Sequence, residues 1–431
     1  MKNKTDVIVV GGGPAGISAA ITVARAGKKV VLIERGTFSG SKNVFGGAIY
    51  VQPTKEIFPD FEQSAPLERK TVAHNYIIKT EEKTVSINYS SRNEEPKSYS
   101  VIRAKFDRWM AKEAEKEGVV IVTETLVKEV IKRENKVIGV KTELEEYFAD
   151  IVILADGVNS ILAKQIRLRK EIKTKDVALG VKEVVKLGRE VLEERFNLNE
   201  GEGVIQEFFG EPMLGMLGLG YLYTNKDTIS YGIGVSLDDL AKYKLKPYEL
   251  LDKLKAHPDF APLIKGGELI EYSAHLIPEG GYKKVPKLYA DGVLIAGDAA
   301  MFVNNIHWEG TNLAMISGKL AGETAVQALN KKDFSTNILS LYQKKLEKSF
   351  IIKDLKSYKD IMNIAHGRAK SYLEYYPHKI QEFFEMFTSV DSIPKRTKYR
   401  GFIKSIFTDR NPLELIKDAI GFVRIMFGAL K

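Results

Sequence analysis

Cysteine is missing from all 431 residues. Its absence excludes disulfides, a cysteine nucleophile and any iron–sulfur cluster held by this chain's own cysteines. Histidine is scarce, six in all, and none falls at a ligand spacing such as H-E-x-x-H, so no metal is expected. No run reaches the about 18 uncharged apolar residues that mark a membrane-spanning helix. The opening residues carry no leader pattern and pass straight into a strand, so the expected setting is the cytoplasm. Internal repeats, low-complexity segments and nucleic-acid-binding motifs are also absent, and nucleic acid is not an expected partner.

What is present describes a soluble globular protein, 44% hydrophobic and 28% charged. The length leaves room for two or three domains, each with a full core. Lysine and arginine outnumber the acids, giving a formal charge of +9. That charge is either spread over a basic surface or turned toward an anionic partner or membrane.

The strongest local signal is "VVGGGPAGIS", Val9 to Ser18. An apolar, β-branched run precedes it and a helix-forming run, Ala15 to Ala26, follows. Between strand and helix, Gly11 allows the tight turn, Gly13 lets the backbone approach a pyrophosphate, and Gly16 lets the helix pack close. Pro14 and Ala15 follow Gly13, and the helix presents its free N–H groups to the phosphates. "KKVVLIER" reads as the next strand and ends on Glu34 and Arg35. An acid about 20 residues after the turn is where a ribose hydroxyl is recognised. No second glycine-rich phosphate turn exists, so direct reduction by a nicotinamide nucleotide has little support.

Further along, "SYSVIRAKFDRWMAKEAEKEG" reads as a strand and then a helix with Phe106, Met110 and Ala114 on one face. "VVIVTETLVKEVIKRENKVIGVKT" reads as three strands and "ADIVILADGVNS" as a buried one. Short strand patterns dominate 165–275, "DGVLIAGDAA" returns to a buried strand, and "TNLAMISGKLAGETAVQAL" is a periodic helix. The expected architecture is α/β: a discontinuous Rossmann-type domain from residues 1–71, 99–164 and 276–332. An inserted antiparallel β-rich domain (72–98 and 165–275) and a helical C-terminal region (333–431) complete it.

Four signals then stand in order: the glycine turn with Glu34 and Arg35, Arg103 in "VIRAKFDRW", Asp156-Gly157 in "ILADGVNS", and "VLIAGDAAMFVNNIHWEGTNLAMISG". The set resembles the glutathione-reductase-type FAD flavoproteins. That resemblance implies that Asp298, after Gly297, binds the flavin ribityl chain, and that Gly310, Thr311 and Asn312 start a helix aimed at the flavin pyrimidine edge. A helix N-terminus there would favour the negative charge of a reduced flavin. Gly46, Gly47 and Ala48 are expected beside the isoalloxazine ring and Val127 beside the adenine. "GGAIY", "RAKFDRW", "LIPEGGYKKVPKLYADGVLIAGDAAMFVN" and "EGTNLAMISGKLAGETA" resemble the FixC family, similar to electron-transfer-flavoprotein:quinone oxidoreductase.

The resemblance implies electron transfer from an electron-transferring flavoprotein, through FAD, to a quinone. It also implies a separate ferredoxin-like iron–sulfur subunit, which the absence of cysteine favours. The alternative is a geranylgeranyl reductase type that reduces isoprenoid double bonds, with an aromatic monooxygenase as a weaker third. No catalytic acid or base is nominated; His307, Trp308 and Glu309 lie in the loop before the last motif and read as structural. The final stretch, "NPLELIKDAIGFVRIMFGALK", reads as a helix capped by Asn411 with Pro412 at its first position. Glu414, Lys417, Asp418, Gly421, Arg424, Gly428 and Lys431 form one narrow polar stripe on an otherwise apolar helix. Together with the basic run Lys395, Arg396, Lys398, Arg400 and Lys404, this predicts a peripheral hold on the inner face of the cell membrane or a dock for a partner. The other outcome is a helix that packs its apolar face on the protein's own body.

Overall fold

The β-branched opening strand, Lys4–Val10, lies in the middle of a sheet, between Glu146–Leu154 and Val30–Ile33. All three run parallel, as do Val120–Val122 and Val293–Ile295 outside them. Parallel strands are covered on both faces, which is why this run needs continuous apolar character rather than alternation. Val7, Ile8 and Val9 are fully buried. A hairpin of Glu129–Arg133 and Lys136–Lys141 joins the start of Glu146–Leu154 antiparallel. The computed structural model describes residues 4–41, 47–80, 83–214 and 216–428.

Two helices meet over this sheet. Pro14–Arg25 crosses Thr311–Lys331 where Gly318 and Gly322 leave room: a Cβ on Gly318 would stand 2.0 Å from the carbonyl oxygen of Ala15. The helix Arg103–Lys116 buries Phe106, Met110 and Ala114 as its periodicity predicts.

The second sheet has nine strands. Its order is Glu268–Pro278, Val177–Lys186, Thr228–Ser236, Gly218–Thr224, Glu202–Gly210, Leu67–Lys79, Ser98–Val101 and Ala48–Tyr50, with Thr84–Ser90 paired to Leu67–Lys79. Two expectations are corrected here. The sheet is mixed, because Leu67–Lys79 runs parallel to Glu202–Gly210. The domain limits at 71/72 and 275/276 fall inside the strands Leu67–Lys79 and Glu268–Pro278, and Ala48–Tyr50 and Ser98–Val101 pair in this sheet too. The polar start "LERKT" hides the first part of that strand, because its side chains meet other strands rather than a hydrophobic core: Arg69 donates to the carbonyls of Asn225, Glu202 and Lys226.

The two faces of this sheet differ. Phe208, Leu222, Ile233 and Val181 pack on Leu250, Leu251 and Leu254 of the helix Pro247–Ala256, forming a second core. Alternation turns their neighbours the other way. Glu207, in register with Tyr76 and Tyr221, shares that opposite face with Tyr223 and Lys182. It faces the dinucleotide domain: Arg103 acts electrostatically on Lys182, and Arg103 and Arg35 on His275.

The C-terminal region is helical. Thr336–Lys348 and Phe350–Ser357 add Leu339, Tyr342, Leu346 and Ile351 to the first core. Four more α-helices follow: Ile361–Lys370, Tyr376–Thr388, Lys395–Asp409 and Pro412–Phe427. The last begins as the sequence predicts, with Asn411 Oδ1 accepting the N–H of Leu413 at 2.8 Å. It packs on the body inside out. Asp418 and Gly421, from the polar stripe, are its buried residues. Leu413, Ile416, Ile420, Phe422, Val423, Met426 and Phe427 are exposed. No helix among the described residues is long and apolar enough to cross a membrane.

Candidate flavin and quinone site

The glycine turn is built by close backbone approach. Gly11 has φ of +104°, and a Cβ there would meet the carbonyl oxygen of Ala155 at 2.3 Å. The turn therefore abuts the end of Glu146–Leu154, just before Asp156 and Gly157. A Cβ on Gly16 would strike the carbonyl oxygen of Gly11 at 1.9 Å, so only glycine lets the helix start here. Gly13 is the N-cap and Pro14 the first helical residue, next to Ala15. No side chain caps this end, leaving its N–H groups for an anion.

Glu34 ends Val30–Ile33 beside the turn. Its Oε2 accepts the N–H of Gly12 at 2.7 Å and its Oε1 that of Gly36 at 2.6 Å. A carboxylate has about four lone-pair sites, so two remain for hydroxyl donors. Arg35 is exposed and Val127 is buried in the segment that follows Glu124 and Thr125, whose N–H groups bond Gly36 and Glu34.

Asp298 follows Gly297, whose N–H is held by Ser317 Oγ at 3.0 Å and whose missing side chain makes room for Ala15. Burial pushes the Asp298 carboxyl up to about 6, against the pull of Arg103 and Arg169. Hydroxyl donors would favour its charged form. Arg103 grips Asp107 through two hydrogen bonds of 2.9 Å and reaches Thr311 Oγ1 at 3.1 Å. It thereby ties its own helix to the start of Thr311–Lys331, where Gly310 is the N-cap. Asp156 accepts the N–H of Leu162 at 3.4 Å, and burial pushes its carboxyl up.

Gly11, Gly16, Ala15, Asp156, Gly297 and, through Arg103, Asp298 and Thr311 are thus brought to one place. Gly47 lies at its edge, with the Tyr223 ring filling its side-chain position at 2.6 Å, and Ala48 pairs with Ser100. Gly46 lies outside the described residues. His307 meets Tyr358 at 3.0 Å, Trp308 stands against Phe209, and Glu309 closes a backbone bridge to Asn304. Sequence reasoning missed Arg169, which donates to the carbonyl of Ala299 at 3.1 Å, and also Tyr223 and the crossing glycines. Only the last had a signal, the four-residue spacing in "SGKLAG".

The donors and acceptors gathered here suit a flavin dinucleotide. Ser39 Oγ beside Gly12 and Asn312 Oδ1 at the helix start are buried without a partner. A ligand with a diphosphate, ribose hydroxyls and a polar ring edge meets each of these needs.

Residues 6–164 match the FAD-dependent oxidoreductase family model, 177–277 the ubiquinone-binding model of ETF-QO, and 344–427 the C-terminal domain model of the ETF-QO/FixC family. Protein FixC of Azorhizobium caulinodans is 42% identical over 428 residues, 98% of either chain. Protein FixC of Azotobacter vinelandii is 43% identical over 429 residues, 98% of this chain and 99% of that one. The chain belongs to the FixC family. As a FixC-family member it is an FAD-dependent oxidoreductase. The fold is shared more widely. A geranylgeranyl bacteriochlorophyll reductase-like protein of Thermoplasma acidophilum superposes with a TM-score of 0.70 at 21% identity, covering 88% of this chain and 99% of that one. The myxobacterial halogenase CndH superposes at 0.66 and 18%, covering 96% and 91%.

Proposed function

We propose that this chain carries electrons from an electron-transferring flavoprotein, through FAD, to a quinone, as one subunit of a complex that includes a ferredoxin-like iron–sulfur protein. The observation that carries this reading is the quinone-binding match over residues 177–277, which supply most of the sheet facing Arg103. The absence of cysteine supports the separate iron–sulfur subunit, since any cluster ligated by cysteine must sit on another chain.

The N–H groups at Gly13–Gly16 would take the diphosphate, Glu34 the ribose and Asp298 the ribityl hydroxyls. Gly310–Asn312 would present a helix N-terminus to the ring, near Gly47 and Ala48. Arg35, Val127, Asp156 and Gly157 would border the adenosine half. Bound FAD supplies a centre that accepts and passes on electrons; the chain positions it and excludes water.

The exposed apolar face of Pro412–Phe427, with Phe384, Phe387, Ile403 and Phe407, supports a peripheral hold on the inner membrane face. Each nearby lysine or arginine adds about 1 kcal/mol at an anionic surface. The test has three arms. Pure protein should show flavin absorbance. Reduced electron-transferring flavoprotein should bleach and a soluble quinone restore it, with iron co-purifying on a partner. A chain ending before Asn411 should no longer float with anionic liposomes. Rapid bleaching by NADPH alone, with isoprenoid reduction, would overturn the reading.

A further inference from the structure

Reduction of a quinone to a quinol takes up two electrons and two protons, so the site needs a group that gives up a proton near the ring. The acids of the dinucleotide half have other tasks: Glu34 holds the glycine turn, Asp107 holds Arg103, Asp156 accepts the N–H of Leu162, and Asp298 is assigned above to the ribityl hydroxyls. The sheet opposite carries a different acid. Glu207 projects from the middle of Glu202–Gly210 on the side turned toward the dinucleotide domain.

Among the described residues, six titratable groups lie around it. Tyr76 and His74 come from one neighbouring strand and Tyr221 and Tyr223 from the other. Tyr50 and Glu309 close the side toward the loop before Thr311: Tyr50 feels both Glu207 and Glu309. None of these six is a cation; among the described residues, Lys182 shares the face but lies three strands away. The Oε2 of Glu207 is buried and makes no hydrogen bond. Tyr223, which feels Glu207, is also the ring against Gly47. Tyr223 thus links the carboxyl to the Gly47–Ala48 segment. A buried oxygen without a partner in such a place is an unmet need for a ligand oxygen or for its own proton.

We propose that Glu207 is the proton donor to the quinone. This rests on the quinone reading above. In the step, the O–H bond of the Glu207 carboxylic acid breaks and a new O–H bond forms on one quinone oxygen. The two electrons come from the flavin, the second proton comes from solvent water, and Glu207 is left as carboxylate until solvent reprotonates it. Burial supports the role, pushing the carboxyl up to about 8, so that it holds its proton at neutral pH.

The test uses the full-length, FAD-loaded protein with a water-soluble quinone and with a ferricenium salt, which accepts one electron and no proton. Infrared spectra of the wild type should show a protonated carboxyl band at pH 7 that is lost in Glu207→Gln. The ratio of quinone to ferricenium reoxidation rates should fall about 100-fold or more in Glu207→Gln. In the wild type that ratio should drop as pH rises through about 8; Glu207→Asp should retain a pH-dependent drop and Glu207→Gln should not. A wild-type spectrum without the band overturns the proposal. So does a Glu207→Gln protein with an unchanged ratio and pH profile. A wild-type protein that reoxidises with ferricenium and with no quinone overturns the quinone reading itself.

Discussion

The last helix should come loose if Asp418 is removed. Its carboxylate is fully buried between Arg368, at 2.5 Å from Oδ1, and Arg410, at 2.6 Å from Oδ2, with the Tyr376 hydroxyl at 3.1 Å. The Tyr372 hydroxyl donates to its backbone carbonyl at 2.7 Å and lies where a side chain on Gly421 would go. Since the large apolar residues of Pro412–Phe427 face outward, this polar cluster supplies most of what holds the helix down. Breaking one partner of a buried ion pair costs roughly 3–5 kcal/mol. Both arginines are about a fifth exposed, which places Asp418→Ala near the lower end. At about 1.4 kcal/mol per tenfold, amide exchange across residues 412–427 should speed up about 100-fold. Amides of Lys4–Val10 should be unaffected. Burial opposes ionisation of Asp418, but hydrogen bonds from Arg410, Arg368 and Tyr376 outweigh it and hold its carboxyl below the usual range. The contribution is therefore present at neutral pH and lost as pH falls below the ordinary aspartate value of 3.8. Equal exchange in wild type and variant, measured by mass spectrometry at pH 7, would refute this account.

Asp298→Ala should lower FAD content more than Glu34→Ala, read from the flavin-to-protein absorbance ratio; Glu34→Ala should in addition lower the melting temperature, because it strands the N–H groups of Gly12 and Gly36. Ionised Asp298 is the better acceptor for hydroxyls, so FAD retention on gel filtration should weaken as pH falls through about 6 and become pH-independent in Asp298→Asn. Gly318→Leu forces a side chain into backbone at 2.0 Å and should cost about 1–3 kcal/mol or more, measured by urea denaturation. Stopped-flow mixing with NADH or NADPH should bleach the flavin slowly or not at all.

The elements legible in the sequence are those whose residue types are dictated by backbone geometry close by. Gly11 and Gly16 are glycines because the turn tolerates no Cβ, and a strand, a turn and a helix in order make that visible. The limit at 71/72 cuts Leu67–Lys79 because one of its partners, Glu202–Gly210, lies about 130 residues further on, and no local pattern reports a distant neighbour. The helical wheel of Pro412–Phe427 separates its two faces correctly. It cannot tell which one touches the body, and here four side chains outside that helix, Arg368, Arg410, Tyr372 and Tyr376, decide for the polar one. Glu207 sits among apolar residues in "GVIQEFFG", where alternation marks its face but not what lies opposite.

The order of strands in the first sheet sets the order of assembly during synthesis. Lys4–Val10 leaves the ribosome first, yet its neighbour Glu146–Leu154 arrives well over a hundred residues later, and Val293–Ile295 later still. At about 5–20 residues per second the opening strand waits roughly 10–60 s for the chain that completes its sheet. Asp298 and Thr311 come from that same late segment. A nascent or prematurely ended chain can form the glycine turn while lacking two of the residues proposed above to hold the flavin. On that proposal, yellow colour in a preparation requires translation past residue 311, independently of any activity.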